Sequence, residues 1–387
     1  MKSIVLVTPN SDTFTNPTLT TLFQMLNEKG INVYLFGPDQ QPGCPSNLLN
    51  VQPINSRFRL NLFKNPKKYW KHFQSYLKVL TIIYTQKIST ILAVDPMGLI
   101  VGGRLKKIIF KKIHLSYLSF EIFFRSELSG HYLSLKEKEI YYSSFIDSLL
   151  VQDEQRKKLL QLENNIHLAE ESIALVPVSP LKIIPAKNID LHEQLNIKPE
   201  YQLAVYSGSV GTWCGTDAII EAFKKGYWNN KYWLVFHTRT IINSDNPYFE
   251  DLMKLNDDPQ VPFSLHPHPF DSFHSLAGFL SGFDLALALY YPNNENPYYG
   301  MNMKEIGLSS GKFSTYMMLN LPTIVTFCSI YEELLTKYHF GAILEDVKTL
   351  HEAIQRVEQG KNEALKLYEE VLSPEVSLKE YVNFFIT

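Results

Sequence analysis

The segment "IGLSSGKFSTYMMLNLPTIV", Ile306 to Val325, decides how the chain is read. A Ser-Ser-Gly-Lys precedes an apolar run with helical spacing, and Leu321-Pro322 closes that helix ahead of the strand "PTIVTF". Ser309 or Ser310 caps its start. Lys312 then falls in the first turn, with Thr315 three residues on along the same face. Phe313 and Met317 turn towards the core. A cation in the first turn opposes the helix dipole, at a cost of up to about 1 kcal/mol, where Asp or Glu would be favoured. It is accounted for by an anion at that end, held by the first-turn N–H groups and the ammonium. A solvent-exposed lysine on a purely structural helix is the other reading. A P-loop is excluded. Its G-x-x-x-x-G-K-[ST] spacing is broken because Gly307 and Gly311 enclose only three residues, and Phe313 stands where a magnesium-binding hydroxyl is needed.

Working outward, strands and helices alternate on both sides. Upstream, "YQLAVYSGS", "YWLVFHTR", "VPFSLHPHP" and "FDLALALYY" read as strands. Between them lie the helices "TDAIIEAFKKG", "PYFEDLMKL" and "DSFHSLAGFLSG", the last capped by Asp271. Downstream follow "SIYEELLTKYHFG", "GAILED" and "VKTLHEAIQRVEQG". The first half repeats the alternation. It runs "SIVLVTP", a helix capped by Asn16 with Pro17 in its first turn and Gly30 at its stop, "INVYLFGP", and a long amphipathic helix "NPKKYWKHFQSYLKVLTIIYTQK". "ISTILAVDP", the short basic helix "GLIVGGRLKKIIFKK", "IHLSYLSFE", the helix "LSLKEKEIYYSSF", "DSLLVQD" and "SIALVPV" complete it. Two successive β/α runs predict an α/β protein of two doubly wound, Rossmann-like parallel-sheet domains. Ligands of such sheets lie beyond the carboxyl ends of the strands, which places the functional residues at an interdomain cleft. The proline-marked stretch Ser179–Lys198 reads as a linker. The expected domains are 1–180, 181–370, and a C-terminal helix region 371–387 returning to the first domain.

The bulk properties agree with a globular protein. The chain has 387 residues, 45% of them hydrophobic and 20% charged, enough for two or three domains at about 150 residues each. Cys44, Cys214 and Cys328 are scattered and odd in number, with neither a disulfide framework nor a metal-ligand spacing, as expected in a reducing compartment. No uncharged apolar stretch reaches a membrane-spanning length of about 18 residues, so a cytoplasmic protein is expected. The net charge of −2 conceals a block from Arg57 to Lys112 with thirteen Lys and Arg against a single acid, Asp95, a net of +12. Such a block fits an anionic partner. The interleaved Phe58, Phe63, Tyr69, Trp70, Phe73 and Tyr76 favour an anionic membrane surface over nucleic acid, beside the plain alternative of a solvated basic face. The protein is then peripheral at the inner face of a membrane.

Four further groups of residues have chemistry to offer. "YSGSVGTWCGTD" leads from a strand to a helix through Gly208, Gly211 and Gly215, a tight turn with close backbone approach but not a dinucleotide fingerprint. "FHTR" puts His237 and Arg239 at a strand end, where an arginine makes a phosphate clamp. "HPHPFDSFH" brings His266, His268 and His274 close in sequence, but the spacing matches no usual zinc pattern, so no metal is expected. In the first half, Asp95 of "AVDPMG" and Glu121 of "SFEIFF" end strands, where each is a candidate catalytic carboxylate or a helix cap.

The order "VYSGSVG…AIIEAF", "YWLVFHTR", "FDLALALYY", "IGLSSGKFSTYMMLNLPTIVT", "YEELLTKYHFGAIL" resembles the C-terminal half of the GT-B glycosyltransferases, specifically the large retaining group that uses nucleotide-sugar donors. "AVDPMG", "LSFEI" and "LLVQDEQRKKLL" extend the resemblance over nearly the whole chain. It implies that Lys312 binds the donor diphosphate together with His237 or Arg239. Gly208, Ser209, Gly211, Ser309, Ser310 and Thr315 complete the donor site it implies. It also implies a nucleotide-sugar as substrate, a glycan or lipid-linked acceptor, and no separate cofactor; Asp95 and Glu121, read from their strand ends, stay the candidate catalytic residues. The family's paired glutamates, eight residues apart, would fall on Gly307 and Thr315, so neither is present. Thr315 offers one weaker hydrogen bond where a glutamate would hold the ribose. Three activities follow from the resemblance: a sugar transferase, a catalytically silent carbohydrate-binding or partner subunit, and another GT-B enzyme such as a nucleotide-sugar epimerase.

Overall fold

The structure, a computed structural model, describes residues 3–8, 13–37, 51–54, 66–185 and 190–384. Arg57, Arg59, Lys64, Phe58, Phe63 and Cys44 lie outside the described residues. The backbone contacts divide the chain into two compact units, Met1–Leu181 with Pro374–Thr387, and Lys182–Ser373.

The strands of the first unit are β1 (Ser3–Val7), β2 (Asn32–Phe36), β3 (Val51–Ile54), β4 (Thr90–Val94), β5 (His114–Leu118), β6 (Ser148–Val151) and β7 (Ile173–Leu175). They pair in the order β3-β2-β1-β4-β5-β6-β7, every pair parallel. The continuous apolar runs of β1 and β4 are buried along their whole length, as a sheet covered on both faces requires. β3 was not expected from the sequence. It contains Pro53, which is tolerated because β3 is the edge strand.

Successive strands are added to one side up to β3 and to the other side from β4, so β1 and β4 flank the topological switch point. There the helix Asp95–Ile108 approaches β1 so closely that a Cβ on Gly98 would lie 2.6 Å from the Val7 carbonyl oxygen. A backbone oxygen cannot step aside as a flexible side chain does. Gly98→Ala is therefore expected to destabilise this unit by about 1–3 kcal/mol, read as a lowered thermal midpoint. The terminal helix Pro374–Phe384 buries Leu378, Tyr381 and Val382 in the same core as Leu19, Leu22 and Phe23 of the helix Pro17–Glu28. Asn16 caps that helix by accepting from the Leu19 N–H.

The second unit carries β8 (Gln202–Gly208), β9 (Tyr232–Thr238), β10 (Phe263–His266), β11 (Leu285–Ala288), β12 (Thr323–Thr326) and β13 (Gly341–Leu344). All pair in parallel, in the order β10-β9-β8-β11-β12-β13. Its switch point lies between β8 and β11. One core fills the face covered by the helix Gly311–Met318, and another lies on the opposite face.

Several boundaries differ from the sequence expectation. The basic helix after β4 begins at Asp95 itself and runs to Ile108. Ser272, not Asp271, caps the helix Phe273–Leu280, accepting from the Ser275 N–H. The expected linker contains the helix Leu191–Leu195, capped by Asp190, and Leu191 is buried in the second unit's core. The helix Gly311–Met318 stops before Leu321-Pro322 because Asn320 takes the left-handed conformation (φ 56°). The Asn320 N–H then reaches the Met317 carbonyl and the Leu321 N–H the Tyr316 carbonyl, closing the helix end.

Candidate functional site

The carboxyl end of β8 and the start of the Gly311–Met318 helix meet at the second unit's switch point. β8 ends at Gly208, where a Cβ would sit 3.0 Å from both Cε and Nζ of Lys312. Glycine is the residue that leaves room for this lysine. Tyr206, from β8, and Tyr290, just beyond β11, wall it in, with Nζ 4.1 Å and 5.2 Å from their ring centroids. The ammonium lies over the two π faces, a cation–π arrangement. Lys312 is 8% exposed, and its Nζ is buried without a hydrogen-bond partner among the described residues. The solvent-exposed alternative is thereby excluded. Burial, with a smaller contribution from the positive charge of Arg239, lowers its pKa to about 7, against a small opposing effect of Cys214.

The walls of this site are themselves held firmly. Ser310 is the N-cap: its Oγ accepts from the Phe313 N–H at 3.1 Å and pairs with the Tyr290 hydroxyl at 2.6 Å. Its hydroxyl is engaged in the scaffold, whereas Ser309 sits half-buried in the preceding short 3₁₀ turn Gly307–Ser309. The Tyr206 hydroxyl donates to the Ser209 carbonyl at 2.7 Å, and the Cys214 thiol donates to the same oxygen. The Tyr316 hydroxyl accepts from the Ser207 N–H, pinning the helix to β8. Gly211 is half-buried in the turn, and its N–H donates to the Thr216 hydroxyl. Trp213, stacked on Tyr299 at 5.0 Å and on Tyr290 at 6.5 Å, continues the aromatic wall. Thr315 donates its hydroxyl proton to the Gly311 carbonyl at 2.7 Å, leaving only its lone pairs for an outside partner.

The geometry separates the two basic candidates of "FHTR". His237 is buried in β9, with Nε2 3.2 Å from the His268 carbonyl and Nδ1 2.8 Å from the Ser207 hydroxyl. A carbonyl only accepts, so Nε2 carries the proton and Nδ1 accepts from Ser207. Burial pushes its pKa down to about 4. His237 is thus a neutral positioning group, not a cationic clamp. Arg239, one residue beyond β9, is exposed, and its N–H donates to the Gly208 carbonyl at 3.3 Å. Its charge reaches Lys312, Tyr290 and Tyr316 electrostatically. His266 stacks flat on Phe270 at 5.8 Å, while His274 is exposed on its own helix. The three histidines therefore do not converge.

In the first unit Asp95 stands at the switch point. It is buried, has a left-handed backbone (φ 60°), and its Oδ1 accepts from the Phe120 and Glu121 N–H groups at 2.8 and 3.1 Å. Burial, then the negative charge of Glu121, raises its pKa to about 8, against those two hydrogen bonds and the more distant Arg156. A non-glycine residue in this conformation at a strand-to-helix turn is a marker of a functional or strained position. Asp95 does not cap the helix; it ties the end of β4 to the loop after β5. Glu121 is half-buried. Sequence reasoning missed Arg156, which is fully buried and donates from Nε to Gln152 at 2.9 Å and from its guanidinium to the Phe120 carbonyl at 2.7 Å.

No family model matches the chain, and no curated protein matches it in sequence. Solved structures do match. Sucrose-phosphate synthase from Thermosynechococcus elongatus aligns over 100% of this chain and 98% of its own, with a TM-score of 0.73 and 12% identity. Anabaena HepE in complex with UDP-glucose aligns over 100% and 99%, with a TM-score of 0.69 and 11% identity. The N-terminal domain of Candida albicans trehalose-6-phosphate phosphatase aligns over 100% and 96%, with a TM-score of 0.65 and 14% identity. The fold is that of the GT-B glycosyltransferases, two Rossmann-like parallel-sheet domains. Among the described residues no helix is long and apolar enough to cross a membrane.

Proposed function

We propose that the protein is a glycosyltransferase that binds a nucleotide-diphosphate sugar at the switch point of its second unit and transfers the sugar to a glycan or lipid-linked acceptor. The observation that carries this reading is the amine of Lys312, buried at a helix start against a glycine-ended strand with no hydrogen-bond partner among the described residues. A charged group kept out of water without a partner is costly, and a diphosphate supplies the missing one. Lys312 and the first-turn N–H groups would hold the diphosphate, with Arg239 adding charge from the end of β9. Both cations would stabilise the negative charge that develops as the diphosphate leaves, so the reading requires no metal ion. Asp95 and Glu121 are the candidate carboxylates on the acceptor side, and retention of configuration follows from the family resembled. UDP-glucose is the first donor to test, since it is the ligand named for HepE. Thermal-shift measurements across a nucleotide-sugar panel test the proposal: stabilisation by one donor supports it, and no response to any nucleotide overturns it.

A second reading is favoured by one specific observation. The positions that carry carboxylates in the resembled family hold Gly307 and Thr315, and Thr315 has its proton engaged within its own helix. A donor-binding but silent subunit would have this arrangement. Donor binding without hydrolysis or transfer against any glycan acceptor is the outcome expected of it.

Donor affinity should depend on pH. The free lysine has a pKa of about 7, and a bound diphosphate favours its charged form. Below pH 7 the site is charged before the donor arrives. As pH rises through that value, binding must take up a proton, so affinity falls by about tenfold per unit until the pKa of the complex is reached. Titration calorimetry from pH 6 to 9 with a nucleotide-sugar, whose diphosphate diester keeps its charge over this range, reads the slope. Lys312→Arg, always protonated, should flatten it.

A further inference from the structure

The amino edge of the first unit's sheet carries a surface that donor chemistry does not use. The connector from the Asp95–Ile108 helix to β5 reads "IIFKKI". At its tip Phe110 is fully exposed, and Ile108 beside it is 47% exposed. Tyr84, at the end of the helix Pro66–Thr85, and Tyr141, on the helix Gly130–Ser143, extend the apolar area on either side.

These side chains are organised rather than scattered. The Phe110 N–H donates to the Tyr84 hydroxyl at 3.1 Å. Lys111 donates to the Ile83 carbonyl at 2.9 Å, with its Nζ 5.5 Å from the Tyr84 ring centroid. Lys107 donates to the Tyr141 hydroxyl at 2.6 Å and lies 5.0 Å from the centroid of that ring. Lys112 and Lys87 are exposed on this connector and on the neighbouring one before β4. Lys106 pairs with Asp147; the other four lysines make no ion pair with any described residue.

We propose that this edge docks on an anionic lipid bilayer, with Phe110 entering the interface and Lys87, Lys107, Lys111 and Lys112 facing the headgroups. An apolar tip ringed by unpaired cations supplies the two weak signals that together give stable peripheral binding. Nucleic acid is the poorer fit, because phosphate contacts give no reason for a fully exposed phenylalanine beside an exposed isoleucine.

The placement has a consequence for the acceptor, resting on the function proposed above. Asp95 and Glu121 lie at the carboxyl ends of β4 and β5, the opposite edge of the same sheet. A strand of five residues spans about 16 Å. A bilayer bound at the amino edge leaves the carboxyl edge facing water, so the acceptor's reactive end is a soluble or chain-extended glycan rather than a lipid headgroup in the same bilayer.

Flotation of the full chain with phosphatidylcholine vesicles, with and without about 30% phosphatidylglycerol, tests the docking. The wild type should float with the anionic vesicles at low salt and be released at high salt. Phe110→Ser should weaken binding about tenfold, and each Lys→Ser at positions 107, 111 or 112 about fivefold. All four variants should keep the wild-type thermal midpoint and donor response, because these side chains lie outside the cores. The proposal is overturned if the wild type ignores anionic vesicles at low salt, or if Phe110→Ser floats like wild type. Salt-sensitive binding of a single-stranded oligonucleotide that competes off vesicles and is indifferent to Phe110→Ser also overturns it. Failure of the donor panel alone leaves the docking result intact, so the two readings are separately decided.

Discussion

Lys312→Met is expected to abolish the stabilisation that a nucleotide-sugar donor gives the wild-type chain and, at the same time, to raise the melting temperature of the ligand-free protein. The two effects have one cause. In the free protein the amine is buried with no hydrogen-bond acceptor among the described residues, compensated by the faces of Tyr206 and Tyr290 and by a small effect of Cys214. Leaving such a group unsatisfied costs about 1–3 kcal/mol or more, and methionine keeps most of the apolar stem without it. For a unit of this size each kcal/mol moves the midpoint by about 2–4 °C. The sign with pH follows from the lowered pKa. Between about pH 7 and the ordinary lysine value the unfolded chain binds more protons than the folded one, so the wild type gains stability as pH rises. The advantage of Lys312→Met is therefore largest at and below pH 7 and shrinks in alkali. With donor bound, truncating one partner of a desolvated charge pair costs about 2–5 kcal/mol, at least about thirtyfold in Kd. A variant that unfolds earlier than wild type and still binds donor would show that Lys312 is structural and that the diphosphate lies elsewhere.

The alternation that leads to this site is legible along the chain because it is local. Helical spacing, Asn16, Pro17 and Gly30, and the first-turn place of Lys312 are all read within a few residues. What surrounds Lys312 is not local. Tyr206 and Tyr290 reach it from β8 and from beyond β11, 106 and 22 residues away in the chain, and neither has a pattern that distinguishes it from a core tyrosine. The choice between His237 and Arg239 shows the limit more sharply. Two residues apart at a strand end, they would share one face if the strand continued. β9 stops at Thr238, so one side chain stays in the core and the other goes to solvent. The first unit's basic block was legible as charge with interleaved aromatics, not as a place in the fold. The placement of Lys87, Lys107, Lys111 and Lys112 at the amino edge, away from Asp95 and Glu121, depends on which connectors the sheet order brings together.

Glu139→Gln is expected to produce the largest loss of stability in the first unit, about 3–5 kcal/mol, although nothing in the helix "LSLKEKEIYYSSF" singles Glu139 out from its other charged residues. In the fold the side chains of Lys136 and Glu139 are completely buried, Nζ to Oε2 at 3.2 Å. Glu139 Oε1 accepts from the Tyr117 hydroxyl at 2.8 Å and from the Asn164 amide at 2.7 Å, and Lys136 also donates to the Asn164 carbonyl oxygen. This group joins β5 to the helices Gly130–Ser143 and Glu154–Asn164, the frame behind the Asp95 and Glu121 edge. Removing one charge leaves the other buried and uncompensated. With the amide oxygen kept towards Tyr117 and Asn164, the new NH2 group takes the place of Oε2 and faces the Lys136 ammonium, donor against donor. Lys136→Met should destabilise comparably, by stranding the carboxylate. The double variant Lys136→Met, Glu139→Gln should recover part of the loss, because no net charge is then buried. Denaturant unfolding of the four proteins measures the coupling directly. Additive losses would mean that water or another cation reaches the pair, and that these two helices can part without separating opposite charges.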